Sequence, residues 1–153
     1  MMRLMKMTWA VLLLTVAMIA HGENRGEQKQ VFGDYEVHYI GLNSTFLTPE
    51  TAQAYGITRS KALGFISISV LKNVDGEALP VALSAEVEGK LRNLIGQART
   101  LSFQQVKESN AIYYLTTFRF DDGDLYHVDL DVSPEDTTRR FNVKFTQKFY
   151  EEE

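Results

Sequence analysis

The chain has 153 residues, with 16 Lys and Arg, 20 Asp and Glu and no cysteine, which predicts one domain long enough to bury a core without a metal or a disulfide. Its net charge of −4 excludes the basic footprint of a nucleic-acid binder and works against docking on an anionic membrane face. A hydrophobic content of 44% excludes general disorder, and the lack of cysteine excludes a thiolate nucleophile, a cysteine metal site and a lipidated N-terminal Cys.

The first predicted element is a secretory signal over residues 1–22. Arg3 and Lys6 make a positive start, and Trp9 to Ala20 is an apolar run. That run is shorter than the ~20 residues that span a bilayer. Ala20 and Gly22 fit small-x-small cleavage after Gly22. An uncleaved anchor is the alternative. Losing Arg3 and Lys6 but no acid takes the net charge from −4 to −6. Residues 23–30 hold no large apolar side chain and are predicted to be a disordered leader. Residues 31–150 then form one domain, and residues 151–153 an acidic tail.

The domain reads as strands. Tyr35, Val37 and Tyr39 alternate on one face of a strand over residues 34–42. Thr48 as N-cap, Pro49 at the first helical position, Glu50 in the first turn and Gly56 just past the end predict one short helix. A type I′ turn at Asp75-Gly76 would pair Val70 with Val81, Ile68 with Leu83 and Ile66 with Ala85. Residues 89–96 are ambiguous, and their flanking glycines favour an irregular crossover. A strand over residues 97–107 points Leu101 and Phe103 inward. A three-residue bulged turn at Asp121-Asp122-Gly123, with Gly123 left-handed, would pair Phe118 with Tyr126, Thr116 with Val128, Tyr114 with Leu130 and Ile112 with Val132. That register makes one apolar face and leaves His127, Asp129 and Asp131 outside. Phe141, Val143, Phe145 and Phe149 point inward from the last strand. Phe103, Phe118, Val128, Leu130, Val143 and Phe145 are expected to be nearly fully buried. About seven strands and one short helix predict an immunoglobulin-like antiparallel β-sandwich, with a small β-barrel as the alternative.

Two short segments stand out. Phe32-Gly33-Asp34-Tyr35 follows the leader, and Val70-Leu71-Lys72 closes a strand. In the order of these motifs, its signal peptide and its length the sequence resembles a small family of exported bacterial proteins carrying only a domain-of-unknown-function label. The second motif of that family begins with Asn, whereas Ser69 stands here. The resemblance spans the whole chain and implies no activity, ligand or catalytic residue. Read from the residues alone, Gly33 turns the chain while Phe32 and Tyr35 seal one end of the sandwich.

No constellation for catalysis emerges. His127, Asp129 and Asp131 recur at i, i+2, i+4, about 7 Å apart along a strand, too far to share one ion without bending it. Asp121, Asp122 and Asp124 crowd one turn, which is also ordinary turn chemistry. Asn43-Ser44-Thr45 matches the glycosylation sequon by chance. There is no nucleophile elbow, phosphate loop or dinucleotide fingerprint. No cofactor and no metal site is therefore predicted.

The expected function is non-catalytic: an exported, periplasmic binding or assembly accessory domain. Its partner is an unidentified envelope protein or small ligand, with no nucleic acid and no stable membrane insertion once the signal is removed. The candidate interaction surface is Tyr113, Leu115, Arg119, Leu125 and His127, which the preferred register places outward beside acids. The alternative is a small-ligand carrier, using the seven Tyr and nine Phe to line a pocket of at least about 300 Å³.

Overall fold

Period-two alternation dominates the chain, and the computed structural model, which describes residues 27–153, arranges it in two antiparallel sheets. The predicted signal and the start of the predicted leader lie outside the described residues. Ten strands form: β1 (Gln28–Phe32), β2 (Tyr35–Asn43), β3 (Leu63–Lys72), β4 (Val81–Ala82), β5 (Ala85–Asn93), β6 (Ala98–Leu101), β7 (Gln104–Glu108), β8 (Ala111–Arg119), β9 (Leu125–Pro134) and β10 (Phe141–Lys148). One sheet runs β1-β2-β3-β8-β7, with β4 also on β3, and the other runs β10-β9-β5-β6. This is an immunoglobulin-like β-sandwich. Because no ladder joins the two sheets, the barrel alternative does not hold.

Inward parity fills the space between the sheets. Val37 and Tyr39 of β2, Ile66, Ile68 and Val70 of β3, and Tyr114 and Phe118 of β8 meet Leu91 of β5, Tyr126, Val128, Leu130 and Val132 of β9, and Phe141 and Val143 of β10. Full burial of each such side chain stabilises by about 1.5–3 kcal/mol. Phe103 and Phe145 are only partly buried, against expectation. Phe103 sits where the chain crosses from one sheet to the other, and Phe145 lies on the edge strand β10, stacked on Tyr39 at 4.4 Å.

Both aspartate–glycine turns behave differently from the hairpins predicted. Residues 73–80 form a long loop, and the β3–β4 register is Leu71 with Ala82 and Lys72 with Val81. This is two residues from the expected pairing. Gly76 has φ +87° while Asp75 is not left-handed, so the type I′ requirement at both positions fails. After Leu83, whose N–H donates to the Val70 carbonyl at 2.8 Å, the chain leaves for the opposite sheet. Ala85 therefore starts β5 rather than facing Ile66.

At the second turn, β8 and β9 lie in opposing sheets and are not strand partners. Phe118 and Tyr126 still meet, ring to ring at 6.1 Å across the sandwich. Gly123 is left-handed as predicted, at φ +74°, and its N–H donates to the Phe149 carbonyl at 2.8 Å. The tight hairpins fall elsewhere, at Gly33-Asp34 between β1 and β2 and at Ser109-Asn110 between β7 and β8.

Three further segments differ. Gln28–Gln30, expected in the leader, belong to β1 and pair with Val37, His38 and Tyr39. Residues 89–93, expected in a crossover, complete β5. Gly89 permits this: a Cβ there would lie 2.9 Å from both Leu130 and Phe103. The strand expected over residues 97–107 is two strands, β6 and β7, broken at Ser102-Phe103 and shared between the sheets.

Helix α1 (Pro49–Tyr55) matches its sequence signals in detail. The Thr48 hydroxyl accepts from the Thr51 N–H at 3.2 Å, and Gly56 ends the helix at φ +68°. The sequon Asn43 is buried; its amide donates to the Lys61 and Tyr150 carbonyls, and its oxygen accepts from Thr45.

Candidate functional site

The two motif segments, Phe32 to Tyr35 and Val70 to Lys72, meet at one end of the sandwich. Antiparallel pairing of β2 with β3 sets Tyr35 opposite Lys72. The loop between β9 and β10 adds Asp136 and Arg139. Tyr35 Oη donates to Asp136 Oδ1 at 3.1 Å, and Lys72 Nζ donates to Asp136 Oδ2 at 2.8 Å. Asp136 holds the Lys72 ammonium above the usual lysine range, and Lys72 holds the Asp136 carboxyl below the usual aspartate range. Phe32 stacks on Phe141 at 4.7 Å, while the Arg139 guanidinium lies 4.8 Å from the Phe141 ring centre. Gly33 turns the hairpin at φ +65°, and the Asp34 carbonyl accepts from the Asn73 N–H at 2.8 Å. Val70 points into the core and Leu71 pairs with Ala82. The arrangement seals the end, as the residues suggested. Its chemistry is that of a polar latch over aromatic packing, with no unpartnered nucleophile or base.

Beside the latch, on the outer face of β1 and β2, Glu36 accepts from Lys29 and Asn73 and lies 2.7 Å from His38 Nε2. Hydrogen bonding to His38 first, then to Asn73, lowers the Glu36 pKa to about 2. The other His38 nitrogen is 2.6 Å from Glu27.

The predicted interaction surface is divided. Tyr113, Leu115 and Arg119 belong to β8 of one sheet, and Leu125 and His127 to β9 of the other. Leu115 is 5% exposed and does not form a surface patch. With Phe65 and Ala52 it is buried outside the inter-sheet core. Helix α1 is tied to that side by Tyr55 Oη, which donates to Glu108 on the neighbouring β7 at 2.7 Å.

His127 is exposed and belongs to a different feature. On the outer face of the second sheet, the antiparallel registers align Arg92, His127 and Thr146 in one cross-strand row, and Lys90, Asp129 and Lys144 in the next. These six side chains line a concavity of about 260 Å³. His127 Nδ1 lies 3.0 Å from Thr146 Oγ1. Asp129 is engaged by Asn142 Nδ2 at 2.7 Å and, more loosely, by Lys144 Nζ at 3.6 Å. The side chains of Lys90 and Arg92 have no hydrogen-bond or ion-pair partner among the described residues. Sequence reasoning named His127 and Asp129 here but missed Lys90, Arg92, Lys144 and Thr146. For Lys90 and Arg92 the signal, outward cations two residues apart, is hidden when residues 89–96 are read as a crossover; Lys144 and Thr146 lie on the outward parity of the last strand.

Residues 29–152 match the family model for a domain of unknown function, DUF4426. The structure is similar to that of a DUF4426 family protein from Pseudomonas aeruginosa PAO1, with TM-score 0.71 and 33% identity, covering 84% of this chain and 98% of that chain. It is similar to FetP of uropathogenic Escherichia coli strain F11, recombinantly expressed in the periplasm of E. coli BL21(DE3), with TM-score 0.57 and 13% identity over 80% of this chain and 93% of that chain. A copper-bound variant of Campylobacter jejuni P19 gives TM-score 0.53 and 10% identity over 80% and 94%. These last two likenesses concern the fold alone. No curated protein matches the sequence.

Proposed function

The chain belongs to the DUF4426 family, and from that premise we propose that it is an exported, non-catalytic binding domain of the bacterial cell envelope. Its working surface is the outer face of the β10-β9-β5-β6 sheet. One observation carries this reading: a concavity of about 260 Å³ on that face, lined by two cations whose side chains have no partner among the described residues. A surface cation that only solvates a face gains nothing from a concave setting; one held ready for a ligand does. Export is supported by the signal-like residues 1–22. In addition, no helix among the described residues is long and apolar enough to cross a membrane.

The carrier reading loses support because its aromatic rings are used on one another. Phe118, Phe120 and Tyr126 all pack around Phe149 at 5.1 to 6.1 Å, and Tyr39 stacks on Phe145. Copper, which the P19 variant holds, does not fit the described residues. Residues 27–153 contain neither Met nor Cys, the soft ligands that select Cu(I). His38 and His127 lie in different sheets, and no three His, Cys, Asp or Glu side chains among the described residues are grouped to hold one ion.

Two measurements test the proposal. Intact mass of the exported protein should begin at Glu23; a mass retaining Met1 in the membrane fraction would contradict release. Amide shift mapping of the isotope-labelled mature chain in envelope extract should perturb Lys90, Arg92, His127 and Thr146. Perturbation confined to other faces would overturn the assignment of the surface.

A further inference from the structure

We propose that the outer-face concavity of the second sheet binds a small tetrahedral oxyanion, either free phosphate or the phosphate of a small monoester. This deepens the binding reading above and rests on it. Adjacent strands lie about 4.8 Å apart and outward residues on one strand about 7 Å apart, so side chains from three strands can converge on one group of that size. Lys90 and Arg92 come from β5, His127 from β9, and Lys144 and Thr146 from β10. A planar guanidinium and two flexible ammonium groups arriving from different strands suit an acceptor with oxygens in several directions.

The charge pattern is local and runs against the whole molecule. The chain carries a net charge of −4, yet Lys90, Arg92 and Lys144 outnumber the single acid in the concavity, Asp129. The next outward row carries two acids, Glu88 and Asp131. Asp131 accepts from Asn142, and neither Glu86 nor Glu88 forms an ion pair with Lys90 or Arg92. With Nδ1 beside Thr146, His127 keeps Nε2 for a ligand oxygen. Asp129 is the one acid lining the concavity; Asn142 donates to one of its oxygens and Lys144 lies 3.6 Å from the other. A volume of about 260 Å³, open to solvent, admits a phosphate with a few further atoms and nothing of cofactor size.

The test is amide shift titration of the labelled mature chain with inorganic phosphate, glycerol 3-phosphate and succinate at constant ionic strength. Saturable shifts confined to β5, β9 and β10 are expected with one or both phosphates. Arg92→Ala should weaken that binding about five- to tenfold. Asp129→Asn should tighten it, since the opposing charge is removed while the shape is kept. Both variants sit on exposed positions, and unchanged thermal midpoints will show that they fold. Non-saturating shifts spread over all surface lysines, binding unaffected by Arg92→Ala, or succinate binding as well as either phosphate would each overturn the proposal. If envelope extract perturbs this face while neither phosphate does, the anion assignment fails and the binding surface stands. If neither perturbs it, both fall.

Discussion

Asp136 shows how one residue outside any motif holds two motifs together. Its carboxylate accepts from Tyr35 Oη and from Lys72 Nζ, so removing it unties the β9–β10 loop from both segments. The Lys72 and Asp136 side chains are 30% and 34% exposed; their ion pair alone contributes about 0–1 kcal/mol, and the Tyr35 hydrogen bond adds about 1 kcal/mol. Asp136→Ala should therefore cost about 1–2 kcal/mol in urea unfolding at neutral pH. Acid exposes the same chemistry. Glu36 and Asp136 both hold their protons more weakly in the folded state than in the unfolded chain. Their stabilisation is complete above the ordinary carboxylate range and is lost as pH falls through the folded values. For Glu36 that window runs from 4.5 down to about 2. Wild-type stability should drop across it, and Glu36→Gln should flatten the drop while lowering stability at neutral pH. An unchanged acid limb in Glu36→Gln would place the titration elsewhere. Gly64 is constrained by its neighbour, because a Cβ would lie 2.5 Å from the Phe118 ring. Gly64→Ala should cost about 1–3 kcal/mol through displacement of that ring.

Among the elements, α1 does more than its length suggests. Seven residues cannot hold a helix alone in water, so its stability comes from the cap at Thr48 and from burial of Ala52 on the sheet side. In return Leu115 becomes a core residue. Leu115→Ala should cost about 2–5 kcal/mol, measured by chemical denaturation. A loss below about 1 kcal/mol would return Leu115 to the surface and detach the helix from that face. Thr48→Ala should cost about 1 kcal/mol through the lost cap. The helix boundaries were legible because they depend on neighbouring residues: a hydroxyl three positions from an N–H, a proline with no donor to lose, a glycine free to turn left-handed. The covering of Leu115 was not legible, since nothing local says which sheet face a short helix settles on.

For the molecule as a whole, the assignment of β8 and β9 to opposite sheets is the main departure from expectation. It predicts Hα–Hα contacts across the ladders of β9 with β5 and β10, as at Val128 with Leu91 and His127 with Thr146. None should appear between Thr116 and Val128; such a contact would restore the hairpin and abolish the concavity with it. The apolar stripe of β8 and that of β9 must meet in either arrangement, side by side on one sheet or face to face across two. Alternation alone therefore named Tyr114, Phe118, Tyr126, Val128 and Leu130 as core without naming their strand partners. The all-β class, the helix with its caps, the left-handed Gly123 and most of the inward residues are legible along the chain, because each follows from side-chain parity or from backbone limits within a few positions. Which strands share a ladder, where the chain crosses between sheets at Leu83 and Phe103, and the alignment of Arg92, His127 and Thr146 in one row emerge only in the folded molecule. Those facts depend on pairings between segments tens of residues apart, whose relative position is set by the packing of the whole core.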